Sequence, residues 1–243
     1  MLIHASLRCP DCGSSDALAE YVNGTFCFSC HKSHYFFGSK DTAFKKLKGK
    51  IEVPFETCGI KENSYIHCFL KERCFTEDML RFYNIEQSTD DNYLVLTGYK
   101  DCKRQFIEIR LMNKNIQGPK YRTVGTKKLW YQGARSIHTN KLIVVEDMLS
   151  AMRVGWKYPC IALRGTSLSE EVTSKLCQFP KGTTIFTWFD SDKPGQTAAK
   201  AFKEKLNWAG FGFVNIVSEK DPKMYTEEEI DDILTLGGYQ SVI

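Results

Sequence analysis

The chain has 243 residues, of which 42% are hydrophobic and 26% are charged, and its formal net charge is +4. This composition excludes a mostly disordered chain, and the length allows a small module joined to a mid-sized domain. No apolar stretch is long enough to span a bilayer, and residues 1–9 lack the layout of a signal peptide, so we expect a cytoplasmic protein.

Residues 1–38 contain two closely spaced cysteine pairs among short strand and turn patterns. The pairs are Cys9-Pro-Asp-Cys12 and Cys27-Phe-Ser-Cys30. Four thiolates at this spacing close a tetrahedral zinc site and leave no open coordination position. We therefore predict one structural Zn²⁺, whose binding stabilises a β module too small to bury a sufficient core.

Aromatic and basic residues surround the cysteines, and this mixture is typical of surfaces that stack on unpaired bases. We predict nucleic-acid contacts for His31 and His34. The alternative for Phe26 and Phe28 is that they pack the small core, and we expect at least one of them to do so. Residues 39–54 are rich in lysine and end at Pro54, which indicates a basic linker.

Residues 55–140 are predicted to form a mixed α+β subdomain, with helices at 64–70 and 76–83 and strands at 93–97 and 105–111. Basic residues are dense in its second half and are separated by glycines, a pattern that suits phosphate groups and nucleic-acid strands. A solvated charged face is the alternative. We predict phosphate contacts for five of them: Arg110, Lys120, Arg122, Lys127 and Lys128.

Residues 141–243 alternate between short apolar runs and helical patterns, which predicts an α/β domain with a parallel sheet. Strands are predicted at 142–146, 159–163, 183–189 and 212–217, and helices at 147–154, 168–178, 195–207 and 226–234. The predicted fold is therefore a small N-terminal β module, a mixed α+β subdomain and an α/β parallel sheet.

Carboxylates follow three of these strands. Glu146 ends the first, Asp190 and Asp192 follow the third, and Asp221 follows the fourth. In open α/β sheets ligands bind at the carboxyl ends of the strands, and clustered carboxylates need compensating cations. Hard oxygen ligands suit Mg²⁺ or Mn²⁺ bound together with phosphate oxygens. The alternative is that single acids cap helices or lie in solvated loops.

The Glu146 strand and the segment Asp190-Ser-Asp192-Lys-Pro-Gly195 resemble the TOPRIM motifs of DnaG-type primases, type IA and II topoisomerases and related nucleases. With the four-cysteine zinc ribbon and the basic linker, the arrangement resembles the primase half of bacteriophage primase–helicases. The resemblance implies catalytic and magnesium-binding roles for Glu146, Asp190 and Asp192. It implies a supporting metal role for Asp221.

The activity that this resemblance implies is DNA primase: template-directed synthesis of short RNA primers from ribonucleoside triphosphates on single-stranded DNA. The enzyme class is a nucleotidyltransferase, with His31 and His34 on the template. No G-x4-G-K-[ST] loop occurs in the chain. We therefore expect a separate replicative helicase and a DNA polymerase as partners, in the cytoplasm of a bacterial host cell and away from membranes.

The chain departs from the family pattern in two places, one after Glu146 and one in the ribbon. TOPRIM glutamates are usually followed by Gly and, four residues on, by an acid, whereas these positions here are Asp147 and Ser150. Asp147 is a candidate substitute for the acid. Related ribbons place a template-reading His where this chain has Gly24, which implies a different recognised trinucleotide.

Two other functions share these motifs. A RecR-like recombination mediator also combines a four-cysteine finger with a TOPRIM fold, but it carries a helix–hairpin–helix for which the residues before Cys9 leave no room. A TOPRIM nuclease would use the same carboxylates to hydrolyse phosphodiesters. Nucleotide-dependent synthesis and metal-dependent cleavage separate the enzyme alternatives.

Overall fold

The computed structural model divides the chain into two compact units, 1–50 and 51–243. It describes residues 2–21, 24–30, 32–35, 51–100, 103–125, 131–132, 140–165, 172, 174, 176, 179–180, 182–190, 193–207 and 211–235. Most of the predicted linker and most of the helix predicted at 168–178 lie outside these residues. Within them, no helix combines the length and the apolar character that a membrane span requires. The domain boundaries predicted at 38, 54 and 140 stay predictions.

The first unit is a four-stranded antiparallel sheet. Its strands, in spatial order, are β1 (Leu2–Leu7), β2 (Leu18–Tyr21), β3 (Gly24–Cys27) and β4 (Ser33–Tyr35). Its buried core consists of Cys9, Leu18 and Cys27, with a few partly buried neighbours. So small an apolar core does not stabilise a fold by burial alone, which makes a structural metal the expected source of stability.

The second unit begins with two short helices and a five-stranded antiparallel sheet. The elements are β5 (Thr57–Gly59), α1 (Tyr65–Lys71), α2 (Glu77–Phe82), β6 (Glu86–Ser88), β7 (Tyr93–Lys100), β8 (Lys103–Leu111) and β9 (Tyr121–Gly125), with strands in that spatial order. Both predicted helices are present, because Ser64 and Thr76 cap them. Their hydroxyls accept hydrogen bonds from the backbone N–H groups of His67 at 3.0 Å and Met79 at 3.3 Å.

The rest of the second unit is a mixed sheet in the order β10-β12-β11-β13-β14. Its elements are β10 (Tyr131–Gln132), β11 (Lys141–Val145), α3 (Met148–Gly155), β12 (Cys160–Ala162), β13 (Thr184–Thr187), α4 (Lys193–Asn207), β14 (Gly212–Asn215), a 3-10 turn (Pro222–Met224) and α5 (Glu227–Thr235). Strands β12, β11, β13 and β14 are parallel, as predicted. Strand β10 is antiparallel and too short for its pattern to be read from sequence. The predicted fold class is confirmed.

The central strand β11 is buried on both faces. Ile143 and Val145 belong to the large core that also contains residues of α1, α2 and α3. Leu142 and Val144 belong to a second core on the other face, against α4. Alternate residues of a strand point to opposite faces, so each face of β11 fills a different core. This double burial holds the carboxyl end of β11 in a fixed position.

The terminal helix α5 is attached to the end of α3 through Asp231. Its carboxylate accepts hydrogen bonds from the Lys157 ammonium and, at 2.7 Å, from the Tyr158 hydroxyl. Burial disfavours the charged form, but both donors outweigh it and lower the pKa of Asp231. Because the folded-state pKa is lowered, this stabilisation is present above the unfolded pKa of about 3.9 and is lost as the pH falls through the folded value.

We expect Asp231→Asn to reduce the free energy of unfolding by about 1 kcal/mol at pH 7, because a hydrogen-bonded charge is lost. The difference from wild type should shrink as the pH is lowered to 3. Urea unfolding followed by circular dichroism at several pH values measures both effects. The exposed Asp232 of the same helix, changed to Asn, is the control. An equal loss at every pH would contradict the prediction.

Candidate functional site

The four predicted zinc ligands lie together. The Sγ atoms of all four cysteines are within 4.8 Å of one another, and the Cys9–Cys30 and Cys12–Cys27 pairs are 3.8 and 3.7 Å apart. A tetrahedral zinc site with Zn–S bonds of about 2.3 Å separates its sulfurs by about 3.8 Å. The sulfur positions therefore fit a tetrahedral Zn²⁺.

Tight turns present these sulfurs. Gly13 has a φ of +74°, a conformation that favours glycine, and its N–H donates to the Cys9 carbonyl at 3.0 Å. The N–H of Cys30 donates to Cys27 Sγ at 3.5 Å, and this bond is the largest of several hydrogen bonds that together, against the effect of burial, lower the pKa of Cys27 to about 7. Because the thiolate is the metal-binding form, this hydrogen bond favours zinc binding at neutral pH.

The ribbon surface offers an aromatic ring to solvent. The Phe28 side chain is 59% exposed and packs edge to face on Phe26, with ring centroids 4.9 Å apart. Of the two predicted histidines, His31 lies outside the described residues. The backbone of His34 pairs with Thr25 in the sheet, and its side chain lies outside the described part. The nucleic-acid contacts of both histidines stay predictions.

The acidic edge of the mixed sheet, at the carboxyl ends of its parallel strands, carries two of the predicted acidic residues. Glu146 directly follows β11, and Asp190 follows the neighbouring parallel strand β13. Glu146 Oε1 accepts a hydrogen bond from the Asp190 backbone N–H at 3.2 Å. Asp192 lies outside the described residues. Carboxylate oxygens on adjacent strand ends are the donor type that Mg²⁺ and Mn²⁺ prefer, so Glu146 and Asp190 fit such an ion.

Helix α4 begins directly against this edge. A Cβ atom at Gly195 would lie 2.3 Å from the Asp190 carbonyl oxygen and 2.9 Å from Glu146 Oε1. Separations this short are not tolerated between nonbonded atoms, so any side chain at Gly195 displaces the two acids or the helix. The glycine therefore lets the helix approach the acidic edge.

We expect Gly195→Ala to lower the free energy of unfolding by about 1–3 kcal/mol, the cost typical of overpacking. It should also weaken Mn²⁺ binding, because Glu146 and Asp190 must move. Urea unfolding and titration with Mn²⁺ measure the two effects. Gly118→Ala is the matched control, since a Cβ there meets no atom closer than 3.8 Å. Wild-type stability and Mn²⁺ affinity in Gly195→Ala would show that the helix does not constrain the acids.

A chain of amide and hydroxyl groups supports Asp190. Gln196 Nε2 donates to the Asp190 carbonyl at 3.4 Å, and Asn215 Nδ2 donates to Gln196 Oε1 at 3.2 Å. Asn215 Oδ1 in turn accepts from the buried Thr187 hydroxyl at 2.9 Å. This network was not predicted from the sequence. Its only signal was polar residues within short apolar strands, and such residues need a partner when buried.

Asp221 occupies a different arrangement from Glu146 and Asp190. Its carboxylate accepts from the Lys223 ammonium at 2.8 Å, and the same ammonium donates to Asp147 at 3.0 Å. A metal site needs several His, Cys, Asp or Glu side chains close together. Among the described residues, only the four cysteines form a set of three or more such side chains with all ligand atoms within 4.8 Å of one another. The three predicted acids therefore form no equally tight set. The supporting metal role of Asp221 stays a prediction.

Asp147 fills a structural position. It caps α3, where its carboxylate accepts from the Ser150 N–H at 3.0 Å and the Ser150 hydroxyl at 2.9 Å. Burial opposes its ionisation, but the Lys223 charge and the Ser150 hydrogen bonds outweigh it and lower the pKa of Asp147. Asp147 and Ser150, the two residues after Glu146 that depart from the TOPRIM pattern, are thus hydrogen-bonded to each other.

Two arginines of the second unit share one aromatic ring. The predicted Arg110 lies 4.5 Å above the Phe69 ring centroid, and its Nη1 donates to the Tyr121 hydroxyl at 2.7 Å. Arg73 stacks on the same ring at 3.5 Å. Burial and the Arg110 charge lower the pKa of Arg73, while Asp221 acts against them, so these charges are close enough to interact. The sequence analysis missed Arg73, which no motif distinguishes.

The other predicted basic residues are less concentrated. In β9, Tyr121 is the cross-strand partner of Arg110, so the two side chains lie on the same face of the sheet. The next residue, Arg122, points to the opposite face. Lys120 is exposed, with its Nζ 5.5 Å from the Tyr121 ring centroid. Lys127 and Lys128 lie outside the described residues. The structure therefore groups Arg110 with Arg73 and Tyr121 and places Arg122 on the opposite face of the sheet.

A buried ion pair joins the antiparallel sheet to the mixed sheet. Arg164, just beyond β12, lies 3.4 Å from Glu108 of β8 and donates to Thr123 of β9 at 3.0 Å. Its guanidinium also stacks on the Phe106 ring at 3.8 Å. These contacts hold the sheet that carries Arg110 against the carboxyl end of the parallel strands.

The profile of the Toprim-like family matches residues 143–226, which include Glu146, Asp190 and Asp221. No curated protein sequence is significantly similar to the chain. The crystal structure of the primase fragment of the bacteriophage T7 primase-helicase protein matches with 18% identity and a TM-score of 0.50, covering 92% of this chain and 94% of that one.

Two cellular primases are similar as well. The zinc-binding and RNA polymerase domains of the Aquifex aeolicus primase match with 13% identity and a TM-score of 0.53, covering 98% of this chain and 78% of that one. The RNA polymerase domain of Mycobacterium tuberculosis primase DnaG matches with 16% identity and a TM-score of 0.51, covering 74% and 75%. The chain thus carries a Toprim-like domain and has the fold of the DnaG-type primases.

Proposed function

We propose that the chain is a DNA primase that synthesises short RNA primers on single-stranded DNA from ribonucleoside triphosphates. The observation that carries this proposal is the pairing of Glu146 and Asp190 at adjacent strand ends of a primase fold. The pair formed by Arg73 and Arg110 supports it, because nucleotidyl transfer needs both a divalent-metal site and phosphate-binding cations.

Glu146 and Asp190, together with the predicted Asp192, would hold Mg²⁺ or Mn²⁺. A divalent ion held there would supply positive charge for activating the primer 3′-hydroxyl and for stabilising the leaving pyrophosphate. The protein's contribution is to hold the two carboxylates at fixed strand ends, supported by Gly195 and by the Gln196 network. Rigid positioning of this kind is a principal source of rate enhancement in phosphoryl transfer.

Arg110 and Arg73 would bind phosphates of the incoming nucleotide or of the template. A guanidinium presents several donors in a planar fork that matches phosphate oxygens. Stacking of both groups on Phe69 fixes the planes of the forks. Lys120, Arg122, Lys127 and Lys128 would provide the remaining attraction to the strand. The ribbon would hold the template through Phe28, His31 and His34, with Zn²⁺ in a structural role.

We expect Arg110→Gln to raise the KM for ribonucleotides about tenfold, equivalent to about 1.4 kcal/mol of binding, with a smaller effect on kcat. The reason is that glutamine keeps the hydrogen-bonding capacity but loses the charge. Steady-state primer synthesis at varied nucleotide concentration measures the change. Arg104→Gln, at the opposite end of β8, is the control. An unchanged KM would remove Arg110 from the nucleotide site.

The test of the function is primer synthesis by the purified chain. Single-stranded DNA that covers all trinucleotides is incubated with labelled ribonucleotides and Mg²⁺. Short, template-dependent oligoribonucleotides support the primase. Intact DNA binding without product would overturn the proposal in favour of a RecR-like mediator. Metal-dependent degradation of DNA or RNA would overturn it in favour of a TOPRIM nuclease.

We further propose that the enzyme acts in bacteriophage replication, in the cytoplasm of the bacterial host, beside a separate replicative helicase and a DNA polymerase. The T7 relative supports this, since its primase fragment belongs to a primase-helicase protein. Co-sedimentation with the replicative helicase tests the partnership. Priming that proceeds normally without any association with the helicase would contradict it.

A further inference from the structure

The Lys223 ammonium lies between two carboxylates that come from distant parts of the chain. It donates to Asp147 Oδ2 at 3.0 Å and to Asp221 Oδ2 at 2.8 Å. Only 7% of the residue is exposed, so this charge is taken out of water. Buried charges require paired opposite charges, and Lys223 has two.

Each carboxylate has further partners that compensate its charge. Asp147 accepts two hydrogen bonds from Ser150 at the start of α3. The Asp221 charge interacts with the Arg73 guanidinium, as its effect on the pKa of Arg73 indicates. The cations and hydrogen-bond donors that face the two acids are therefore supplied by the chain itself.

Electrostatics also disfavours a divalent ion at this position. An ammonium bonded to both acids repels a second cation, and an ion coordinated by the two oxygens that accept from Lys223 would have to displace it. Releasing it would leave a buried ammonium without its partners, which is strongly unfavourable.

We propose that the Lys223 ammonium takes the place of a divalent cation at Asp147 and Asp221, so that metal binding depends on Glu146 and Asp190 and not on this pair. Asp221 then supports the site by holding Lys223 rather than by coordinating the metal. This proposal relies on the proposed function in one respect, which is that a divalent ion binds at Glu146 and Asp190.

The experiment counts Mn²⁺ ions bound by the full, zinc-loaded chain, using electron paramagnetic resonance of the free ion. Asp221→Asn and Asp147→Asn should bind as many ions as wild type; asparagine at 147 still caps the helix. Lys223→Met should bind about one ion more than wild type, and adding Asp221→Asn to it should remove that ion. Lys220→Met is the matched control, because Lys220 is exposed and paired with Glu229.

Fewer ions in Asp221→Asn or Asp147→Asn would overturn the inference, as would the absence of an extra ion in a folded Lys223→Met. If Lys223→Met does not fold, the two asparagine variants still decide the question. Glu146→Gln separates this result from the proposed function. If Glu146→Gln binds as many Mn²⁺ ions as wild type, the assignment of a metal site to Glu146 is wrong, regardless of the results for the other variants.

Discussion

Glu146→Gln is expected to reduce primer synthesis by at least about 100-fold while leaving the fold intact. Glutamine has nearly the same shape, so packing at the end of β11 is preserved, and its side-chain oxygen can still accept from the Asp190 N–H. What is lost is the negative charge that holds the divalent ion. Losing several kcal/mol of metal-mediated stabilisation of the transition state lowers the rate roughly 100- to 1,000-fold.

The measurement is single-turnover primer synthesis at saturating Mg²⁺, with circular dichroism to verify the fold. Glu229→Gln is the control, because Glu229 is a carboxylate of the same domain that belongs to the surface of α5 and pairs with Lys220. It should prime at the wild-type rate. Full activity of Glu146→Gln would place the catalytic carboxylate elsewhere, and equal losses in both variants would indicate a general effect of charge.

Cys27→Ser is expected to remove the zinc and unfold the first unit while the second unit keeps its structure. Structural zinc in small modules contributes roughly 10–16 kcal/mol, far more than the few buried residues in the described part of this unit can supply. The second unit has its own two cores, so its sheets do not depend on the metal.

Zinc content by mass spectrometry, together with limited proteolysis of the full chain, measures this outcome. Cleavage should be confined to residues 1–50, and template-dependent priming should fall as the ribbon is lost. Cys58→Ser, on β5 and outside the cluster, is the control and should retain zinc. A Cys27→Ser chain that keeps both its zinc and its resistance to proteolysis would contradict the structural role of the four-cysteine site.

Features that depend on local patterns were predictable from sequence. The spacing of the cysteine pairs identifies the four-cysteine cluster because each pair forms one turn. Ser64 and Thr76 mark helix starts because a cap acts within three residues. The apolar runs before Glu146 and Asp190 predict parallel strands, and parallel strands place their carboxyl ends at one edge. That adjacency requires only topology, so the two acids could be found without coordinates.

Contacts between distant segments were decided by tertiary packing alone. Lys223 bonds to Asp147, 76 residues away, and nothing in either local sequence marks the other as a partner. Arg73 and Arg110 meet because two separate elements pack against Phe69. Hydrophobic periodicity shows which residues of an element are buried, but it does not show which element covers them. The role of each charge at this site therefore depends on the neighbour that packing supplies.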